Sequence, residues 1–195
     1  MAEEKILLVS SQSGTKDIVS RLLRARGYRV AVVDDGYAAL RIARSQYPYL
    51  AIIDRQIKGM DSFQLGEVFE VDKLSPIAYI LDDKEKMRFE ISYSENVFGS
   101  FEYPISPDSF YSALGLIMLS LDKVNKMQKE LDKLKNRLAN QKIIEKAKYV
   151  LISQFKWDED KAYAYLRKTS MDECKSLVKV AKEILEGKDA KTNKV

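Results

Sequence analysis

The sequence predicts an α/β chain in which a doubly wound, parallel sheet of five strands is followed by a long coiled-coil helix and a small all-α domain of three helices. Three observations carry this expectation. Short apolar runs alternate with helical segments over residues 1–109, a seven-residue apolar repeat begins at Phe110, and the residues beyond it keep helical spacing without Gly or Pro until Gly187. Alternating strands and helices build a parallel sheet covered on both faces, and a sustained heptad builds a supercoiled seam.

KILLVS (5–10) is the first strand, and the helix after it spans 15–26 and closes at Gly27. YRVAVV (28–33) is the second strand, followed by a helix over 37–45. YLAIID (49–54) is the third, ending in Asp54, and its helix spans 62–72. PIAYIL (76–81) is the fourth; a weakly helical stretch follows Asp83, and NVFGSFEY (96–103) carries the last strand before Pro104. Short continuous apolar runs of this kind are strands buried on both faces. A residue at the carboxyl end of such a strand emerges in the crevice where open α/β sheets bind ligands, so Asp54 stands where a reactive group would stand. Asp34, Asp35, Asp82 and Asp83 also follow strands, but DDG and DDK read as turn and helix-start residues.

With Phe110 at position a, the a positions are Phe110, Ile117, Val124, Leu131 and Leu138, and the d positions are Ala113, Ser120, Met127, Leu134 and Gln141. The repeat assigns a dimer seam to Ile117, Val124, Met127, Leu131, Leu134 and Leu138. In a parallel pair Glu130 faces Lys135 favourably and Arg137 faces Lys142 unfavourably, so the charges argue little either way. The competing reading is one long helix packed on its own sheet, and LGLIML (114–119) is apolar enough to serve both. Beyond the repeat, Ile144, Ala147, Leu151 and Phe155, flanked by Ile143 and Val150, form one apolar helical face. Asp158 is a good N-cap for a second helix with Ala162, Tyr163 and Leu166 inward. A third buries Leu177, Val178, Ala181, Ile184 and Leu185 and stops at Gly187, while Trp157 wedges the turn between the first two. The expected division is a sheet domain over 1–109, a dimerisation helix over 110–138, a three-helix domain over 139–187 and a disordered tail over 188–195.

Composition narrows the chemistry. The chain has one cysteine, Cys174, and no histidine, which excludes an internal disulfide, a Ser-His-Asp or Cys-His nucleophile and a thiolate or imidazole zinc site. No enzyme activity, cofactor or resident metal is expected. The start, MAEEKILLVS, is acidic before its apolar run, the reverse of a secretory signal, and no window has the ~18 uncharged apolar residues of a membrane helix; a cytoplasmic protein is expected. Charge is uneven: residues 1–109 carry 14 cations against 17 acids, 110–138 carry 6 against 3, and 139–195 carry 13 against 9. An acidic front and a basic rear suggest two units, the second meeting a polyanion.

KILLVS, RGYRVAVVDDG, Asp54 followed by KGMDS, Pro76 and EYPISP together resemble the receiver domains of two-component response regulators over roughly residues 4–120. The resemblance implies a phosphoacceptor role for Asp54, an acidic pair holding magnesium, a switch hydroxyl and a lysine. Those companions align with Ser10 and Ser11, with Leu81 and with Tyr103. Phosphoryl transfer is mainly positioning and charge neutralisation, and two serine hydroxyls do not replace the carboxylates that magnesium prefers. The reading is a pseudo-receiver that senses by contact with a sensor protein or small ligand; phosphorylation-dependent control through Asp54 is the alternative.

The run IIEKAKYVLISQFKWDEDKAYAYLRKTSM with VAKEIL resembles the ANTAR domain, the RNA-binding module of transcription antiterminators, through Ile144, Glu145, Ala147, Lys148, Leu151, Ala162, Leu166, Arg167, Met171 and Ala181. Tyr149 departs from the glycine common after the Ala-Lys pair; it adds a stacking surface or fills space. The resemblance implies a dimer that binds paired stem-loops in leader RNA and prevents a terminator from forming. Lys142, Lys146 and Tyr149 make one stripe and Lys175, Lys179 and Lys182 another, with Arg167 and Lys168 between them in sequence. Phosphate contacts plus aromatic stacking are the ingredients of RNA recognition; Lys148 joins the candidates through the motif. Each lysine alone also reads as an ordinary solvated face, and a coiled-coil adaptor for an acidic protein or a DNA-binding regulator are the other function classes.

Overall fold

The computed structural model describes residues 4–85 and 96–187 and divides into two compact units, Met1–Val124 and Asn125–Val195. The first contains β1 (Lys5–Val9), α1 (Ser13–Ala25), β2 (Arg29–Val33), α2 (Gly36–Gln46), β3 (Leu50–Asp54), α3 (Ser62–Val71), β4 (Ile77–Leu81), β5 (Val97–Glu102) and the first turns of α4 (Pro107–Phe155). The sheet is parallel throughout in the order β2-β1-β3-β4-β5. Alternation along the strands divides the core into two. Ile6, Leu8, Leu50, Ile52, Ala78, Ile80 and Phe101 face α1 and α4, and Leu7, Val9, Ala51, Ile53, Ile77, Tyr79 and Leu81 face α2 and α3.

The starts of α2 and α3 are fixed by side chains. Asp35 accepts from the Ala38 amide at the head of α2, and Asp61 from the Phe63 and Gln64 amides at the head of α3. Such caps satisfy amides that the helix itself leaves unpaired. Asp82 accepts from the amides of Lys84 and Glu85, the helix-start role that DDK suggests. The weakly helical stretch after Asp83 lies mostly, and the tail over 188–195 wholly, outside the described residues.

The helix α4 corrects the expected boundary after residue 109. Phe110, Leu114, Ile117 and Leu121, one row at helical spacing, are buried against the sheet. Ile117 is 3% exposed and packs over Gly99 of β5, where a Cβ would come within 3.0 Å of its Cγ1. It therefore belongs to the intramolecular core and not to the assigned seam. The reason is legible in the row itself: past Leu121 it continues as Asn125, Gln128 and Asp132, while the apolar stripe moves to Val124, Met127, Leu131, Leu134 and Leu138, all exposed. The helix that packs on its own sheet and the helix with a free apolar seam are successive parts of α4.

The second unit contains the remainder of α4, α5 (Glu159–Asp172) and α6 (Leu177–Leu185). Its core is Ala147, Leu151, Ala162, Leu166, Val180, Ala181 and Ile184. Three alanines among seven let the helices approach closely. Asp158 caps α5 by accepting from the Lys161 amide, and Ser176 caps α6 by accepting from the Lys179 amide. Trp157 stacks on Phe155 at 4.9 Å between ring centroids and meets Tyr165 at 5.3 Å, closing the α4–α5 turn. Two inward assignments are corrected. Tyr163 and Leu185 are exposed, because the inward row of α6 is Leu177, Val180, Ala181 and Ile184 and that of α5 is Ala162 and Leu166; Val178 is only partly buried.

Candidate functional site

The carboxyl ends of the strands build the first site. Asp54 ends β3 fully buried, and the hydroxyl of Ser10, just after β1, donates to its Oδ2 at 2.5 Å. Among the described residues Asp54 Oδ1 is buried without a hydrogen-bond partner. Burial pushes this carboxyl above the usual range, opposed by the Ser10 hydrogen bond and the charge of Arg55. Ser11 turns away and donates to the carbonyl of Gln56 at 3.0 Å. Leu81 lies buried in the core beneath α2 and α3.

Arg55 was not singled out by the sequence reading, yet it fills the middle of this site. Its side chain is 10% exposed, with Nε 3.8 Å from Asp82 Oδ2, Nη2 3.5 Å from Gln12 Oε1, and its guanidinium carbon 3.4 Å from the centroid of the Tyr103 ring. Tyr103 is the residue at the lysine position of a receiver. A cation directly after the acceptor carboxylate together with an aromatic in place of that lysine was the available signal. The crevice thus holds a fixed internal cation beside Asp54, with no side-chain carboxylate from Ser10 or Ser11 to share a metal ion. Among the described residues no group of three or more His, Cys, Asp or Glu is placed to hold one. Asp34 instead pairs with Lys58 at 2.6 Å on the surface.

The second site lies on the Asn125–Val195 unit. Lys142, Lys146 and Tyr149 are exposed on α4, and Tyr149 is 71% exposed. Glu145, Lys146, Tyr149, Val150 and Leu185 surround an open apolar hollow of ≈ 450 Å³, continued along α4 by one of ≈ 430 Å³ lined by Leu138, Gln141, Lys142, Glu145 and Lys146. Arg167, Lys168, Lys179 and Lys182 are exposed and do not line these hollows. Two candidates are engaged inside the fold. Lys148 is 7% exposed and bridges Glu145 at 2.8 Å and Glu159 at 2.6 Å, tying α4 to α5; both hydrogen bonds raise its pKa. Lys175 bridges Glu173 and Glu183, each at 2.7 Å, joining the α5–α6 turn to α6. The alternating Glu and Lys at these positions, Glu145 three before Lys148 and Glu173 two before Lys175, was the sequence signal for structural pairing.

The match to known families follows this division. Residues 132–185 form an ANTAR domain. The transcriptional regulatory protein PdtaR of Mycobacterium tuberculosis is 21% identical over 183 residues, 93% of this chain and 89% of that protein. Sporulation initiation phosphotransferase F of Bacillus subtilis is 32% identical over 65 residues, 33% of this chain and 52% of that protein. Among solved structures, response regulator StyR superimposes with a TM-score of 0.64 at 14% identity, over 95% of this chain and 100% of StyR. The signal receiver domain of a LuxO repressor protein from Vibrio parahaemolyticus does so with a TM-score of 0.56 at 14% identity, over 64% of this chain and 97% of that one. The protein therefore has a receiver-like N-terminal unit and a C-terminal ANTAR domain, the make-up of a response-regulator-like regulatory protein. Among the described residues no helix is long and apolar enough to cross a membrane.

Proposed function

We propose that the protein is an RNA-binding transcription antitermination regulator and not an enzyme. A homodimer joined through Val124, Met127, Leu131, Leu134 and Leu138 presents two ANTAR domains to paired stem-loops of a leader transcript. The observation that carries the reading is Tyr149, an aromatic ring left exposed beside Lys142 and Lys146 at the rim of an apolar hollow. An unstacked loop base needs such a ring face, and the flanking phosphates need such cations. Arg167, Lys168, Lys179 and Lys182 add exposed charge for the phosphate backbone, whereas Lys148 and Lys175 act by holding the fold.

Signal enters the receiver-like unit by contact with a sensor protein or small ligand. Arg55, stacked on Tyr103 beside a buried Asp54, supports this over phosphorylation, because the charge that a metal ion and a lysine would supply is already fixed there. Filter binding of the full chain to a two-hairpin transcript tests the whole reading. Affinity is expected to fall with salt and to be unmoved by magnesium with beryllofluoride. A gain with beryllofluoride that Asp54→Asn removes makes the protein phosphorylation-dependent. Equal binding to duplex DNA makes it a DNA regulator, and no nucleic-acid binding leaves a coiled-coil adaptor.

A further inference from the structure

The geometry points to a docking groove for an extended acidic peptide along the free edge of β2, where a partner's strand extends the sheet beneath α1. This goes beyond the RNA-binding reading and does not depend on it. β2 ends the sheet. The Arg29 amide donates to the Glu4 carbonyl and the Ser10 amide to the Val33 carbonyl, so residues 29, 31 and 33 bond inward to β1. In a parallel ladder the intervening residues point the other way, and the N–H and C=O groups of Val30 and Val32 face the open edge. Such an edge is a template for another strand.

The groove beside that edge gives the occupant its chemistry. It has a volume of ≈ 560 Å³ and is lined by Lys16, Asp17, Ser20, Arg21, Arg24 and Val32. Three cations stand against one carboxylate, on a unit that is otherwise net acidic, and among the described residues none of the three is in an ion pair. Val32 is 38% exposed, an apolar floor for a small aliphatic side chain. Lys16, Ser20 and Arg24 follow one another at intervals of four, which spans about 12 Å along a helix. On an added strand, side chains on the α1 side recur about every 6.7 Å, so residues four apart lie about 13 Å apart. Carboxylates four residues apart on the added strand therefore reach Lys16 and Arg24 together, with the side chain midway between them over Val32. A nucleic-acid strand would use the charges but not the peptide groups of Val30 and Val32, and this favours a protein partner.

The test uses the full chain and a short synthetic peptide with Glu at every fourth position, Val midway between successive Glu residues and Ser elsewhere, with the same peptide carrying Lys for Glu as control. The Glu peptide is expected to bind and to slow hydrogen exchange of the Val30 and Val32 amides. The double reversal Lys16→Glu with Arg24→Glu should weaken it at least about tenfold and transfer preference to the Lys peptide, since like charges placed across a contact repel. Val32→Pro removes one outward donor without touching the charges, and it should weaken binding several-fold; if that variant fails to fold, the wild-type exchange measurement decides alone. No binding at about 1 mM peptide, weaker than most specific contacts, overturns the proposal. So does binding that leaves Val30 and Val32 exchange unchanged, which would be charge attraction only. Loss of RNA affinity on reversing Lys16 and Arg24, without any peptide effect, would assign the groove to nucleic acid instead.

Discussion

Arg55 lies over the ring of Tyr103 across the crevice of the receiver-like unit, its guanidinium carbon 3.4 Å from the ring centroid. One stands directly after Asp54 on the β3 side and the other follows β5, so the pair spans β4 between them. A desolvated cation–π contact of this kind contributes about 2 kcal/mol.

Arg55→Ala is accordingly expected to destabilise the chain by about 2 kcal/mol, read as a lower urea midpoint. Arg55→Lys should recover only part of that, because a compact ammonium neither stacks nor spreads its donors as a planar guanidinium does. A midpoint unchanged in Arg55→Ala would mean that the stack holds nothing together. The Arg55 Nη1, buried without a partner among the described residues, is a cost that alanine would relieve, so the measured loss is a lower bound on the stack itself.

Asp54 carries a second expectation. Burial raises its folded-state pKa, so between the unfolded value, about 3.9, and the folded one the native chain holds a proton that the unfolded chain has released. Stability from this group is complete below the unfolded value and is lost as pH rises through the folded value. Asp54→Asn keeps the shape without the charge. It should raise the thermal midpoint at pH 7 to 8 and flatten the pH dependence between there and mildly acid conditions. A variant less stable than wild type at pH 8 would show that the carboxylate is stabilised as an anion.

The sheet was legible because β1, β3 and β4 are continuous apolar runs and because α2 and α3 begin at carboxylates whose capping role depends only on local geometry. Right-handed crossovers put helices on both faces of such a sheet, but the order β2-β1-β3-β4-β5 is fixed only in three dimensions. Where the first unit ends was less legible. The heptad over 110–141 accommodates the buried row Phe110, Leu114, Ile117 and Leu121 as readily as a seam, and only the partner surface, here Phe101 stacked 4.5 Å from Phe110 and the gap above Gly99, decides which. Lys148 and Arg55 escaped for a related reason. A charged residue is buried through partners distant in sequence, Glu159 in one case and Tyr103 in the other, and those pairings are three-dimensional.

The exposed stripe on α4 leads to a third expectation. Leu131 and Leu134 are 48% and 55% exposed in the single chain, and burying that remaining half in a seam is worth roughly 1 kcal/mol per side chain. Replacing both by Glu should convert a dimer to a monomer in sedimentation while leaving the melting of the receiver-like unit in place, since neither residue touches its core. Affinity for a two-hairpin transcript should fall by about two orders of magnitude, the scale of a lost effective concentration, while affinity for one hairpin stays within a few-fold. A wild-type chain that sediments as a monomer would remove the basis for the seam.

The lysines of the ANTAR domain divide into two groups that one pair of measurements separates. Lys148 spans Glu145 and Glu159 while almost wholly buried, and removing one member of a buried pair costs more than the pair contributes, because the remaining charges are left uncompensated. Glu145 and Glu159 are themselves exposed and regain water, so Lys148→Met should cost only about 1–2 kcal/mol and show as a lower melting temperature of the ANTAR domain. Lys142→Ala and Lys146→Ala should leave melting unchanged and lower RNA affinity, each reducing the slope of log affinity against log salt by about 0.7 to 0.9 as one phosphate contact is lost. Tyr149→Leu, which keeps apolar bulk but removes the ring, should lower affinity without changing the salt slope, at about 1–3 kcal/mol for one lost stacking contact. If Tyr149→Leu melts lower and binds RNA normally, the ring belongs to a protein contact. The RNA surface would then have to be sought among Arg167, Lys168, Lys179 and Lys182.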